Sequence, residues 1–122
     1  MLRPLAVTIA LPGTITSDAT FFIEAPCDLT LRAVSAVANN ASTGKINVGT
    51  AADPDGYLDN EDLGDSDNPT IFDLDDFDGA LVTNQGDDYP HITKGTAIAV
   101  NLDVDGSTDP IDPTIVLWFE EG

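Results

Sequence analysis

Basic residues are nearly missing from this sequence: Arg3, Arg32, Lys45 and Lys94 stand against 22 Asp and Glu, for a formal net charge of −18 at pH 7. No two of the four bases are close enough in sequence to make a patch. A phosphate backbone or an anionic bilayer surface is gripped by clustered Lys and Arg, so direct binding to nucleic acid or to a membrane is not expected. Basic protein surfaces, cations and other protein edges are the partners that such a charge favours.

Cysteine is almost as scarce. Cys27 stands alone, which rules out an intrachain disulfide and a four-thiolate zinc site and leaves Cys27 as a small buried or half-buried side chain. His91 is the single histidine, and no Gly-x-Ser-x-Gly elbow, Cys-x-x-Cys pair, His-Glu-x-x-His or Gly-rich phosphate loop accompanies it. A structural or solvated His91 and a chain that is not an enzyme are the expectations. Long apolar runs are missing too: nothing approaches the roughly 20 residues that span a bilayer, so a soluble protein is expected. The opening stretch Pro4 to Leu11 is short, alternating and stopped by Pro12-Gly13, the pattern of a strand and not of a signal peptide.

What the sequence does contain is enough apolar material, 42% of 122 residues, for one folded domain spanning 1–122, with 1–12 as an N-terminal arm or edge strand. Its dominant period is two. Leu5, Val7, Ile9 and Leu11 alternate with smaller residues, as do Ile98, Val100, Leu102 and Val104. Further strands are predicted over Ala19–Glu24, Leu29–Val37, Lys45–Thr50, Thr70–Leu74, Gly79–Thr83 and Thr114–Glu120, each rich in β-branched or aromatic residues. The Ala-rich stretch 31–41 competes as a helix but has no charged face. Glycines and prolines punctuate these segments, so the fold class is all-β: an antiparallel two-sheet sandwich of about eight short strands, jelly-roll-like or Greek-key. The last strand is apolar on both faces, which predicts burial of Trp118 in the core or against a neighbour.

The acids are concentrated. No Lys or Arg lies between Lys45 and Lys94, whereas 13 acids lie from Asp53 to Asp88. Within this stretch Asp53, Asp55, Gly56, Asp59 and Asp62 can be laid on positions three, five, six, nine and twelve of a calcium loop. Position one would then be Ala51, which offers no side-chain ligand. A solvated acidic loop is therefore the first expectation, with no cofactor, and calcium held by Asp53, Asp55, Asp59 and Asp62 is the second. The run Asp73 to Gly79 reads as an edge strand and turn, its Leu74 and Phe77 inward and its carboxylates outward.

The order of these segments, "PCDLTLRAVSAVA" (26–38), "INVGTAADPDGYLD" (46–59), "DLDDFDGALVT" (73–83), "YPHITKGTAIAVNLDVDG" (89–106) and "PTIVLWFEEG" (113–122), resembles the head decoration or cement proteins of tailed bacteriophages. The resemblance implies a virion structural protein on the outer surface of the capsid, commonly a trimer, which stabilises the head by binding the major capsid protein across subunit boundaries. It also implies contacts through chain termini and sheet edges, which makes Leu5, Val7, Ile9, Trp118 and Phe119 the candidate interface residues. The alternative is a secreted β-sandwich module that binds carbohydrate or protein and has a calcium-ordered loop.

Overall fold

A computed structural model of the chain describes residues 3–104 and 106–122. These form nine strands, β1 (Pro4–Ala10), β2 (Ala19–Glu24), β3 (Leu29–Val37), β4 (Lys45–Thr50), β5 (Leu58–Asp62), β6 (Thr70–Phe72), β7 (His91–Ile92), β8 (Ala97–Asp103) and β9 (Thr114–Glu121), with a single 3-10 turn at Leu74–Asp76. One sheet runs β1-β9-β3-β6, with β7 also paired to β3, and the other runs β2-β8-β4-β5. Every strand pairing is antiparallel. The all-β, two-sheet sandwich expected from the alternation is what the chain forms.

Alternation sets which side chains enter the layer between the sheets. Ile115, Leu117 and Phe119 of β9 point inward beside Leu31, Val34 and Ala36 of β3, and Ile98, Val100 and Leu102 of β8 do the same beside Ile46 and Val48 of β4. These residues belong to one continuous buried cluster that also takes in Phe72, Phe77 and Ile92. The stretch 31–41 resolves in favour of strand: β3 runs to Val37, where its alternate residues Val34 and Ala36 are wholly buried.

Three expectations are corrected. Gly79–Thr83 is not a strand: Leu81 N–H donates to the Gly56 carbonyl and Val82 N–H to that of Gly79, so the segment turns over the 53–57 loop. Asp73–Gly79 is not an edge strand either. Asp76 Oδ2 accepts a bond from the Asp73 amide, and the chain winds into the 3-10 turn that drives Phe77 into the core. Conversely Leu58–Asp62, expected as acidic loop, is β5, the outer strand of the second sheet.

Two glycines shape the ends of these sheets. Gly49 lies so close under the 53–56 turn that a Cβ there would sit 2.0 Å from the Asp53 carbonyl oxygen. Gly13 takes φ +86, open to glycine and costly for most residues, just past β1, and its N–H donates to Asp112 Oδ1 at 2.5 Å.

Candidate assembly surface

Registers fix the outer face of the first sheet as firmly as its inner one. Leu5, Val7 and Ile9 of β1 pair with Phe119, Leu117 and Ile115, so the residues between them point away from the core. Across the outer face one row is Thr8, Val116, Ser35 and Ile71, flanked by the rows Ala6-Trp118-Ala33 and Ala10-Thr114-Val37. None of these side chains is charged. On a chain with 22 acids and four bases, such a patch built from four strands marks a surface that selection of charge has left alone.

Its two large members are open to solvent: Ile71 is 62% and Trp118 45% exposed. The expected burial of Trp118 in the core does not occur. Ala6 and Ala33 are its cross-strand neighbours, and side chains this small leave the indole standing proud of the sheet. Phe119, one residue on, is 2% exposed and belongs to the core, so of that pair Trp118 alone faces outward. Leu5, Val7 and Ile9 lie on the inner side, yet Leu5 is 39% exposed and the other two half-buried, because β1 ends its sheet.

Charge returns at one end of the patch. A register shift in β3 between Leu31 and Ala33 leaves Arg32 without a partner in β9 and lets its side chain out, where it reaches Glu120 at 3.7 Å and lies 4.0 Å over the Tyr89 ring. Arg3 approaches Glu121 at 3.6 Å. Both pairs are exposed and contribute little to stability. They consume two of the four bases at one edge of the neutral surface.

The outer face of the second sheet is built differently. Asn60 N–H donates to Asn47 Oδ1, Asn47 Nδ2 to Asn101 Oδ1 at 3.0 Å, and Asn101 Nδ2 to Thr20 Oγ1 at 3.0 Å, a polar ladder across all four strands. Lys45 is ion-paired with Asp62 beside it. Phe22, 62% exposed, is a large apolar side chain on this face, opposite Ala99.

The candidate calcium ligands are only partly brought together. Asp53 and Asp59 both face Asp55: the carboxyl of Asp53 is raised above its usual range chiefly by a hydrogen bond to Asp55, and that of Asp59 by desolvation and then by Asp55 and Asp78. Glu61 is raised by desolvation and by Asp76 and Asp78, so the 53–62 and 73–78 acids crowd one another. Asp62 instead reaches Lys45. Among the described residues no three Asp, Glu, His or Cys side chains converge to hold a metal ion. Thr30 Oγ1 donates to the Gly122 carbonyl at 2.9 Å, so the His91 Nδ1 contact at 3.1 Å needs the proton on that nitrogen, and the ring ties β7 to Thr30 of β3. Cys27 is half-buried in a hollow lined by Arg3, Pro4, Leu5 and Glu121.

No protein-family model and no curated protein matches the chain. A solved structure does: a chain of the cyanophage Pam1 capsid asymmetric unit is similar with TM-score 0.56 and 16% identity, over 99% of this chain and 85% of that one. At that identity the likeness is one of fold.

Proposed function

We propose that this chain is a virion structural protein, a decoration or cement module that sits on the outer surface of a phage capsid and joins neighbouring copies of the major capsid protein. The observation that carries the reading is the neutral outer face of the first sheet, with Trp118 and Ile71 exposed and Val116 half-buried between them, on a molecule whose net charge is −18. An exposed aromatic residue beside a row of small, neutral side chains is the composition of a docking surface, and dense acid elsewhere directs binding to that face. The similar fold in a phage capsid and the resemblance of the segment order to cement proteins point the same way. The sheet order β1-β9-β3-β6 over β2-β8-β4-β5, with the first and last strands adjacent, supports reading the sandwich as a jelly roll. Several modest contacts per particle face would then add through multivalency.

The test is co-sedimentation of the purified protein with capsids assembled without it. Wild type is expected to pellet with the particles, and Val116→Asp, which puts a charge in the centre of the patch, to remain in the supernatant with an unchanged melting temperature. Equal binding by both would overturn the reading.

A further inference from the structure

We propose that the open edge of β1 pairs with the β1 edge of a second copy of this chain, antiparallel about a two-fold axis at Thr8. The hydrogen bonds fix which backbone groups are available. Glu121 N–H donates to the Arg3 carbonyl at 2.9 Å and Leu11 N–H to that of Pro113 at 3.0 Å, so Arg3, Leu5, Val7, Ile9 and Leu11 are the positions whose peptide groups face β9. The intervening Ala6, Thr8 and Ala10 direct their N–H and C=O groups away from it. β1 ends its sheet, and all three residues are exposed.

Between Pro4 and Pro12 this edge lacks the charges and bulges that keep sheet edges from pairing. From Leu5 to Leu11 there is no charge, and β1 pairs with β9 residue for residue without a bulge. The other edges are managed. β5 carries Asp59, Glu61 and Asp62 and a register shift, β6 and β7 are three and two residues long, and β2 ends on Glu24. The inner row of β1 is also incompletely covered, with Leu5 39% exposed while its cross-strand partner Phe119 is 2% exposed.

The edge is self-complementary, which commits the occupant to a second copy. With Thr8 opposite Thr8, Ala6 of each chain meets Ala10 of the other, and the outward N–H and C=O groups of all three residues find partners. Pro4 and Pro12, which have no N–H, fall opposite each other and end the ladder at both sides, so the seam is limited to Ala6, Thr8 and Ala10 of each chain. The same register sets Arg3, paired with Glu121 in its own chain, opposite the second copy's uncharged Gly13, so no like charges meet at the ends of the seam. The two first sheets then become one, and their neutral outer faces form one surface of twice the width.

Sedimentation equilibrium of the full chain tests this, with oxidation of Thr8→Cys in a Cys27→Ser background as a second readout. A two-fold at Thr8 brings the two Cα atoms to about 5.5 Å, inside the range a disulfide spans. The expected results are twice the chain mass for wild type and a covalent dimer for the Thr8→Cys chain, with none for a Ser66→Cys control in the same background. Thr8→Pro removes an edge N–H without touching the β9 ladder and is expected to weaken association at least tenfold with an unchanged circular dichroism spectrum. Should that variant misfold, Thr8→Lys, which sets like charges across the axis, is expected to give the same loss. A wild-type monomer or trimer, or undiminished association by the folded variant, would overturn the proposal. Association of each chain with capsid alone, without self-association, would also do so while leaving the decoration role standing.

Discussion

The two outer faces of the sandwich present the same backbone architecture and opposite chemistry. On the second sheet, side-chain amides from β4 and β8 hydrogen-bond across the strands to Thr20 and to the Asn60 amide, so these polar groups are satisfied within the protein, with Phe22 exposed beside them. On the first, Ala6, Thr8, Ala33, Ser35, Val37 and Val116 form a smooth neutral field beside Trp118, and among the described residues its ion pairs lie at one end. A polar row that satisfies itself needs no partner. A face that keeps an indole in water, on a chain this acidic, gains most by being covered.

The sharpest way to break the comparison is along β9, where adjacent residues serve opposite sides. Phe119→Ala empties a core position and is expected to cost about 3–5 kcal/mol by chemical denaturation. Trp118→Ala removes a half-exposed ring and is expected to cost about 1 kcal/mol or less, yet to weaken capsid binding at least tenfold. If Trp118→Ala unfolds the protein as readily as Phe119→Ala, the outer face is structural and the contrast fails.

The second sheet supplies the converse. Asn101→Ala leaves the amide of Asn47 without its acceptor in a half-buried row and is expected to cost about 1–3 kcal/mol, with binding to capsids unchanged. Thr20→Ala, at the end of the ladder, should cost less, about 0.5–1.5 kcal/mol. Loss of capsid binding by a folded Asn101→Ala chain would move the docking face to the other sheet.

These faces also explain what could be read from residues alone. Strands such as Ala97–Asp103 and Thr114–Glu121 were legible because each carries a full inward row of Ile, Val, Leu or Phe. β5 was not, because Leu58 is its only apolar residue and its pairing comes from a backbone edge, not from burial. Gly79–Thr83 has strand-like residues, but the chain there presses on the backbone of Gly56, where a Cβ on Gly79 would lie 2.2 Å from the carbonyl carbon. Trp118 could be singled out in sequence as an anchor. The neutral patch around it could not, since positions 6, 33, 71 and 116 become neighbours only through the pairing of four strands.

The smallest expected effect lies in the acids of the 53–56 turn and of β5, which lie away from the neutral face and test whether charge there serves folding or merely solubility. Asp53, Asp59 and Glu61 all have raised carboxyl values in the folded chain, through hydrogen bonding among acids, desolvation and mutual repulsion. A group whose folded value lies above its unfolded one favours the folded state at low pH and loses that contribution as pH rises through the folded value. At pH 7 these carboxylates therefore oppose folding. Asp59→Asn is expected to raise the melting temperature slightly at pH 7, and the gain should vanish below the usual aspartate value of 3.8, where wild type is itself protonated. Because Asp59 is exposed, salt should shrink the difference. A melting temperature that instead rises with calcium, and does so only while Asp59 is intact, would show that the loop is ordered by a cation and would favour the calcium-dependent binding module over a surface whose acids act only by repulsion.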